Sequence, residues 1–417
     1  MRIYLPLFRD NLKGKVFDLS TEQNPGVGGT QHVAIILACR LAKAMPQWKI
    51  FLVNTSPITL NFCPENLEVL EFRGFTAFCD YIANCDSQNT RAIIPESLLS
   101  SLSSVHLNSI ANLTFCWLHH PFRFVASLRK ASFLAYVCVG EYQFRSVGAY
   151  YPNTVMVQNV FSLPCCTIWE NGKLIKESPS LQHPLSLVHL GALVPGKGFL
   201  HIAQQWKSIK KQFPNAVLHV IGSSSTYSSR SDIHSLIPTT HDFASKILKY
   251  IPTADIIQKR VIFHGNMGVD KDKVISSAHL AIQNPTGATE AFPASPLECM
   301  ALGTPVIASA DFGMDDAMKY FHELTVGQPS EICQLIANAI DSPHGYRGLV
   351  LRSLAVASFF SYKSDESVEK WIGLISQEKS YYDVVSSKYV ALRAAYAWIT
   401  LLCRRAKCSL RLFINSF

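Results

Sequence analysis

The sequence contains no run of 18 or so unbroken apolar residues, the length that a membrane-spanning helix needs. It also has no Cys-x2-Cys pair with histidines at zinc-finger spacing, so we expect no structural metal. An aromatic RNA-binding motif is missing, and the body of the chain has no long lysine and arginine run. These absences argue against an integral membrane protein, a zinc-dependent fold and a nucleic-acid-binding protein.

A disulfide framework is also not expected, although the chain has 12 cysteines. They are scattered over 417 residues, and the segment Met1–Arg9 is too short and too soon interrupted for a secretory signal. We therefore expect mostly reduced cysteines and a cytoplasmic protein. The formal charge of +8 leaves an anionic membrane surface or a phosphorylated substrate open as partners.

Short apolar runs alternate with helical segments along the chain, which predicts parallel, doubly wound sheets. A chain of this length favours two domains, each with its own core. The strands predicted for the first domain are Arg2 to Leu7, Lys49 to Thr55, Leu67 to Phe72, Ala92 to Pro95, Leu113 to His119, Leu134 to Val139 and Thr154 to Gln158. Those predicted for the second domain are Leu185 to Leu190, Ala216 to Ile221, Val261 to His264, Leu280 to Gln283 and Pro305 to Ser309.

The predicted boundaries give residues 1–178 to the first domain and 179–385 to the second. The stretch from Phe161 to Pro184 breaks the alternation and is predicted to be the linker. In such a pair of domains a ligand lies in the cleft at the carboxyl ends of the strands. Residues 386–417 carry six basic and no acidic side chains among aromatic and apolar ones. They predict a basic amphipathic helix, which either lies on anionic lipid or packs back on the first domain.

Three motifs precede or follow predicted strands at this edge. Gly28 and Gly29 lie just before a predicted helix from Thr30 to Lys43, where the backbone can approach an anion closely. His119, with His120 as the alternative, ends a buried strand and is expected to direct an imidazole into the cleft. Lys197 lies between Gly196 and Gly198 after another strand, where it can reach a diphosphate.

The fourth motif runs from Thr289 to Ser309 and contains two carboxylates eight residues apart, Glu290 and Glu298. Ser295 is predicted to be the N-cap of a short helix, followed by Pro296 at its first position. The run Ser-Pro-Leu-Glu also matches a capping box, in which Glu298 would only satisfy a backbone N–H.

Taken together, these motifs resemble the nucleotide-sugar site of the retaining family-4 glycosyltransferases, which have the GT-B fold. The resemblance implies that Glu290 contacts the transferred sugar, that His119 does so from the first domain, and that Lys197 stabilises the leaving diphosphate. It further implies nucleotide contacts for Gly28, Gly29, Gly191, Gly265, Ala294, Ser295, Leu297 and Glu298. No metal or other cofactor is implied, since the donor nucleotide sugar is itself a substrate.

The sequence departs from the family pattern at three positions. Ala192 stands where the family has an arginine for the diphosphate, and Ala291 and Pro293 stand where it has glycines. The expected function is transfer of a sugar to a hydroxyl acceptor, saccharide or lipid-linked, in bacterial surface polysaccharide or glycolipid assembly. The basic tail adds the inner face of the cytoplasmic membrane as a possible location. The alternatives are a nucleotide-sugar epimerase or hydrolase of the same fold, and a non-catalytic nucleotide-sugar-binding subunit.

Overall fold

The structure is a computed structural model. It describes residues 1–8, 12–120, 126–146, 150–151, 153–164, 169–170, 173–174, 176, 179, 184–226 and 233–376. The predicted helix over 386–417 lies outside these residues, and so does most of the predicted linker. In the described part of the chain, no helix combines the length and apolarity that crossing a bilayer requires.

The first half of the chain alternates strands and helices. In chain order these are β1 (Arg2–Pro6), β2 (Val16–Asp18), α1 (Gly29–Ala44), β3 (Lys49–Asn54), β4 (Thr59–Asn61), β5 (Leu67–Glu71), α2 (Phe75–Ala83), β6 (Thr90–Pro95), α3 (Glu96–Leu99), α4 (Ser104–Ile110), β7 (Thr114–Leu118), α5 (Ala126–Lys130), β8 (Ala135–Cys138), α6 (Glu141–Ser146), β9 (Thr154–Met156), β10 (Trp169–Glu170) and β11 (Lys173–Leu174).

A parallel sheet with the strand order β5-β3-β1-β6-β7-β8-β9 forms the core of this half. Its central strands β6 and β7 are buried along their whole length, as their apolar sequences require. All seven strands match the predicted ones to within one or two residues at each end. The sequence analysis missed β2 and β4, which are three residues long and pair only with each other.

The second half repeats the pattern. In chain order it contains β12 (Ser186–Leu190), α7 (Phe199–Gln212), β13 (Val217–Ile221), α8 (His241–Leu248), α9 (Thr253–Ile257), β14 (Val261–Gly265), α10 (Lys271–Ser277), β15 (Leu280–Ile282), α11 (Ala294–Ala301), β16 (Val306–Ile307), α12 (Asp315–Met318), α13 (Ile332–Ile340) and α14 (Pro343–Ile375). A parallel sheet of order β14-β13-β12-β15-β16 forms its core. These five strands also match the prediction to within one or two residues.

Helix α14 connects the two halves. Near its start the hydroxyl of Tyr346 donates to the carbonyl of His279 at 2.9 Å, in the second half. Near its end the fully buried Trp371 packs edge-on against Phe115 and Trp117 of β7, with ring centroids 5.9 and 5.8 Å apart. The helix therefore begins on the second half and ends on the first. In the described part of the chain it is α14 that returns to the first half. Whether residues 386–417 also pack back or lie on anionic lipid stays a prediction, because they lie outside the described residues.

A buried carboxylate also links the halves. Asp316 accepts the backbone N–H groups of Glu141 and Tyr142, both at 2.9 Å, at the first turn of α6. Beside it, the Lys319 ammonium lies 2.7 Å from the Glu141 carboxylate. Burial raises the pKa of Asp316 to about 6, while the two N–H donors and Lys319 oppose this shift.

We predict that this carboxylate makes stability fall as the pH rises. Because its pKa is higher in the folded than in the unfolded chain, the folded protein binds more protons between about pH 4 and pH 6. The Asp316 contribution is therefore fully present below pH 4 and is lost as the pH passes 6. Thermal midpoints of the wild type and Asp316→Asn should be compared at several pH values. Between pH 4 and pH 6 the thermal midpoint of the wild type should fall relative to that of Asp316→Asn. A difference in midpoint that does not change with pH would contradict the prediction.

Candidate active site

A cleft between the two sheets collects residues from the carboxyl ends of several strands. The sequence-predicted residues that line it are Gly28, Gly29, His119, Gly191, Lys197, Glu290, Ala294, Ser295 and Glu298. The other polar residues that line it include Asn24, Thr30, Asn159, His189, Asn266, Lys271, Gln283, Asn284 and Thr289. Nine of the eleven predicted site residues thus meet in one place, although they come from both halves of the chain.

Two helices begin at this cleft. Gly28 precedes α1 in an extended conformation, and Pro293 precedes α11. Neither of these two residues caps its helix with a side chain, and neither helix has an acidic residue in its first turn. The residues that line the cleft include the starts of both helices, so the positive ends of two helix dipoles lie at its wall. This arrangement favours an anionic ligand.

The start of α11 differs from the prediction. The helix begins at Ala294, so Ser295 is inside its first turn and does not cap it. The capping box is also not formed, because the Glu298 carboxylate faces Lys271 instead of the backbone. Leu297 does not reach the cleft, since its side chain is fully buried and its N–H donates to the Pro293 carbonyl at 3.3 Å.

Gly265 does not line the cleft, but its carbonyl oxygen hydrogen-bonds to the backbone of Gly222, which does line it. The N–H of Gly222 donates to this carbonyl at 2.8 Å, and the N–H of Gly191 donates to Ile221 at 2.9 Å. Gly222 has φ +129°, and a Cβ there would lie 2.0 Å from the Gly191 carbonyl oxygen. Only glycine fits at position 222, where the chain passes close to Gly191. This close approach brings the ends of β12, β13 and β14 together.

The two residues predicted to act on the donor form one ion pair. Lys197 Nζ lies 2.8 Å from Glu290 Oε1, and both side chains are mostly buried. Asn284 Nδ2 donates to the same oxygen at 3.1 Å and to the Ala288 carbonyl at 2.8 Å. The carboxylate is therefore fixed from two sides. Asn284 was not predicted from the sequence, although a polar residue two positions after the end of the strand β15 is a usable signal.

A buried carboxylate fixes the backbone of His119. Glu96, 1% exposed, accepts the His119 backbone N–H at 2.8 Å and contacts His120 Nδ1. Burial alone would raise the pKa of Glu96, but the hydrogen bond and charge of His120 keep it below its usual value. Burial lowers the pKa of His119 to about 4, and its Nε2 has no hydrogen-bond partner among the described residues. His119 thus reaches the cleft as a neutral ring, whereas His120, the alternative, is not among the residues that line the cleft and directs its ring to Glu96.

Glu298 is paired with a lysine that the sequence analysis did not identify. Lys271 Nζ lies 3.5 Å from Glu298 Oε2 and 3.4 Å from Asp272 Oδ1. These separations are long for a hydrogen bond, and within the described structure both oxygens are buried without a hydrogen-bond partner. Burial raises the pKa of Glu298, against the opposing charge of Lys271. The site therefore has an acceptor oxygen that a ligand hydroxyl can satisfy.

Part of the chain resembles a known protein family. Residues 172–342 match the family model described as glycosyl transferases group 1. The match includes Lys197, Glu290 and Glu298, and it supports the predicted enzyme class, glycosyltransferase (EC 2.4). A search of curated proteins finds no match.

Solved structures of glycosyltransferases with the GT-B fold are similar over nearly the whole chain. HepE of Anabaena, in complex with UDP and glucose, has 12% sequence identity and a TM-score of 0.57, covering 90% of this chain and 100% of that one. Sucrose-phosphate synthase of Thermosynechococcus elongatus has 16% identity and a TM-score of 0.59, with the same two coverages. A glycosyltransferase of Rickettsia africae has 11% identity and a TM-score of 0.60, covering 90% and 98%. The predicted GT-B fold is therefore confirmed.

We predict that Glu96→Gln disturbs the His119 turn. The amide would put an N–H₂ donor where the carboxylate now accepts from two nitrogens, and this should cost about 1–3 kcal/mol. Thermal unfolding should show a lower midpoint for Glu96→Gln. Glu68→Gln, on an exposed position of β5, serves as the control and should leave the midpoint unchanged. An equal midpoint for both variants would show that Glu96 does not hold the turn.

Proposed function

We propose that the protein is a retaining, family-4 glycosyltransferase that moves a sugar from a nucleoside-diphosphate sugar to a hydroxyl acceptor. The observation that carries the proposal is the Lys197–Glu290 ion pair, in a cleft that also receives the starts of α1 and α11. Cationic and dipolar groups of this kind suit a diphosphate, and buried carboxylate and imidazole acceptors suit sugar hydroxyls.

In the proposed reaction the bond between the anomeric carbon and the diphosphate oxygen breaks, and its electron pair leaves with the diphosphate. Lys197 and the two helix N-termini would stabilise the charge that develops there, so the chemistry requires no metal ion. The acceptor hydroxyl oxygen forms the new bond on the same face of the sugar. Its proton passes to the departing diphosphate, which acts as the base.

Lys197 is held against Glu290 Oε1 and also lines the cleft, so its ammonium group lies where a diphosphate would bind. Among the described residues, the second lysine that lines the cleft is Lys271, which is paired with Asp272 and Glu298. With Ala192 in place of the arginine, Lys197 would carry most of the interaction with the leaving group.

The loss of that arginine also favours a second candidate function, a nucleotide-sugar-binding protein without transferase activity. Such a protein would bind the nucleotide sugar but form no product. We prefer the enzyme, because Lys197 and Glu290 are both present and within 2.8 Å of each other. We further propose an acceptor near the membrane surface, as in polysaccharide or glycolipid assembly, because of the basic segment 386–417.

We predict that Lys197→Met and Glu290→Gln each lower the transfer rate by roughly 100-fold or more, the usual effect of removing one group that stabilises the transition state. The assay would follow release of the nucleoside diphosphate from a panel of nucleotide sugars, starting with UDP-glucose. Lys197→Met should also weaken nucleotide binding, whereas Glu290→Gln should largely retain it. Lys246→Met, on the exposed face of α8, serves as the control and should keep wild-type activity.

Two outcomes would contradict this proposal. Near-wild-type turnover by Glu290→Gln would remove this residue from the reaction. Tight binding of a nucleotide sugar by the wild type, with no turnover in the presence of any hydroxyl acceptor, would favour the binding protein.

We also predict that the basic segment attracts anionic lipid. Replacing Arg404, Arg405 and Lys407 by glutamine should reduce binding to phosphatidylserine-containing vesicles by roughly tenfold or more, since each basic residue contributes about 1 kcal/mol at such a surface. The control variant replaces three exposed lysines of the second domain by glutamine, namely Lys207, Lys211 and Lys246. The two triple variants therefore have the same net charge. Equal vesicle binding by the two triple variants would contradict a specific role of the segment.

A further inference from the structure

His189 is a buried polar residue of the strand β12, and neither the sequence motifs nor the proposed mechanism uses it. It lies in β12 between Val188 and Leu190 and is only 1% exposed. Its Nδ1 lies 2.9 Å from the carbonyl oxygen of Ile282. Because a carbonyl can only accept, Nδ1 carries the proton in this hydrogen bond. Nε2 therefore presents a lone pair.

That lone pair has no hydrogen-bond partner in the described part of the chain, although the atom is buried. A buried acceptor without a partner costs about 1–3 kcal/mol, so such atoms in folded proteins require a reason. Burial also lowers the pKa of His189 to about 4, and the ring is accordingly neutral near pH 7. A neutral ring in this tautomer accepts a hydrogen bond at Nε2 and cannot donate one there.

The ring of His189 forms part of the cleft wall, with Nε2 buried beside Gly191. Gly191 also lines the cleft and lies on the same side of the chain, two residues further. A Cβ on Gly191 would be 3.1 Å from Nε2, so the lack of a side chain there leaves room for a ligand atom beside the nitrogen. Phe199 packs against the ring with centroids 5.1 Å apart, which fixes its orientation.

The surroundings of His189 indicate which part of a ligand it meets. Its partner Ile282 ends β15, and Asn284, two residues later, fixes Glu290 Oε1. The charges of Glu290 and Lys197 both act on the His189 ring, so the three side chains are electrostatic neighbours. A bare imidazole nitrogen repels phosphate oxygens but accepts from a hydroxyl, and sugars carry hydroxyls on adjacent carbons.

We propose that His189 Nε2 accepts a hydrogen bond from a hydroxyl group of the transferred sugar, beside Glu290, and so contributes to the choice of donor sugar. This inference rests on the proposed function. His189 is then a specificity-determining residue that contacts the donor but takes no part in bond breaking.

The test measures binding to the wild type and to His189→Phe by calorimetry. Phenylalanine keeps a planar ring against Phe199 and removes both nitrogens. The ligand is whichever of UDP-glucose, UDP-galactose, UDP-N-acetylglucosamine and GDP-mannose binds the wild type most tightly, together with its free nucleoside diphosphate. We expect His189→Phe to raise the Kd of the nucleotide sugar by roughly 3- to 10-fold, the usual loss for one neutral hydrogen bond, and to leave the Kd of the free nucleotide unchanged.

A series of monodeoxy analogues of the same sugar identifies the hydroxyl. One analogue should bind the wild type more weakly by the same factor, and His189→Phe should not distinguish it from the parent sugar. His201→Phe, on α7 and outside the residues that line the cleft, is the matched control and should behave like the wild type. The analogue series on the wild type keeps the test valid even if His189→Phe does not fold.

The outcomes separate this inference from the function on which it rests. Equal nucleotide-sugar affinity in wild type and His189→Phe would overturn the inference alone, and so would an equal weakening of the free nucleotide and the nucleotide sugar. If all monodeoxy analogues bound the wild type equally, the inference would also fall. If the wild type bound none of the nucleotide sugars, the proposed function itself would fail, and the inference with it.

Discussion

The crossing of α14 from the second half onto the first is the contact on which the cleft depends. A parallel sheet presents its carboxyl ends at one edge, so two such sheets form a shared site only when these edges are held face to face. Trp371 fixes the far end of α14 in the core beneath β7, and Asp316 ties the second half to the first turn of α6. Residues that are separated by more than 150 positions, such as His119 and Glu290, thereby line one cavity.

Within that cavity, charge and hydrogen bonding are arranged unevenly. The two lysines that line it in the described structure are each held by carboxylates, Lys197 by Glu290 and Lys271 by Asp272 and Glu298. The positive ends of α1 and α11 have no such counter-charge from a side-chain cap in the described residues. An incoming diphosphate would therefore meet the two helix N-termini and a lysine that is already paired with a carboxylate, rather than a free cation.

The acceptor atoms show the complementary feature. His189 Nε2 and Glu298 Oε2 are buried acceptors without hydrogen-bond partners in the described chain, and both residues line the cleft. His119 Nε2 is a third buried atom without a partner there, and it donates or accepts according to the ring tautomer. Unpaired acceptors are costly in a folded protein, and their concentration in one cavity points to a ligand rich in hydroxyl groups. A nucleotide sugar combines such hydroxyls with a diphosphate.

The sequence was sufficient for the strands because buried parallel strands are short apolar runs, which polar turns and Gly or Pro residues separate. The sequence did not predict β2 and β4, because a strand of three residues is too short to show a pattern of apolar and polar residues. The start of α11 was also missed, because Pro293 and the Lys271–Glu298 contact override the local preference of Ser295 to cap a helix. Such overrides come from tertiary contacts that a local pattern does not contain.

For the site, the spacing of Glu290 and Glu298 and the glycine-flanked Lys197 predicted residues that the fold does bring together. Asn284, Lys271 and His189 were not found, because their importance depends on which side chains face each other across neighbouring strands. Some signal was nevertheless present. A histidine between Val188 and Leu190 in a buried strand, and two amides directly after β15, are polar residues at the carboxyl edge of a sheet.

The most direct test of the account is a thermal-unfolding screen of the wild type with UDP, GDP and ADP and their common sugar derivatives. A ligand that binds only the folded protein stabilises it by about 2.7 kcal/mol at 100 times its Kd, which raises the midpoint measurably. The account predicts a clear rise with the derivatives of one base and little change with the other two. No rise with any nucleotide would contradict it, and would mean that the cleft, without an arginine at position 192, has lost the nucleotide site.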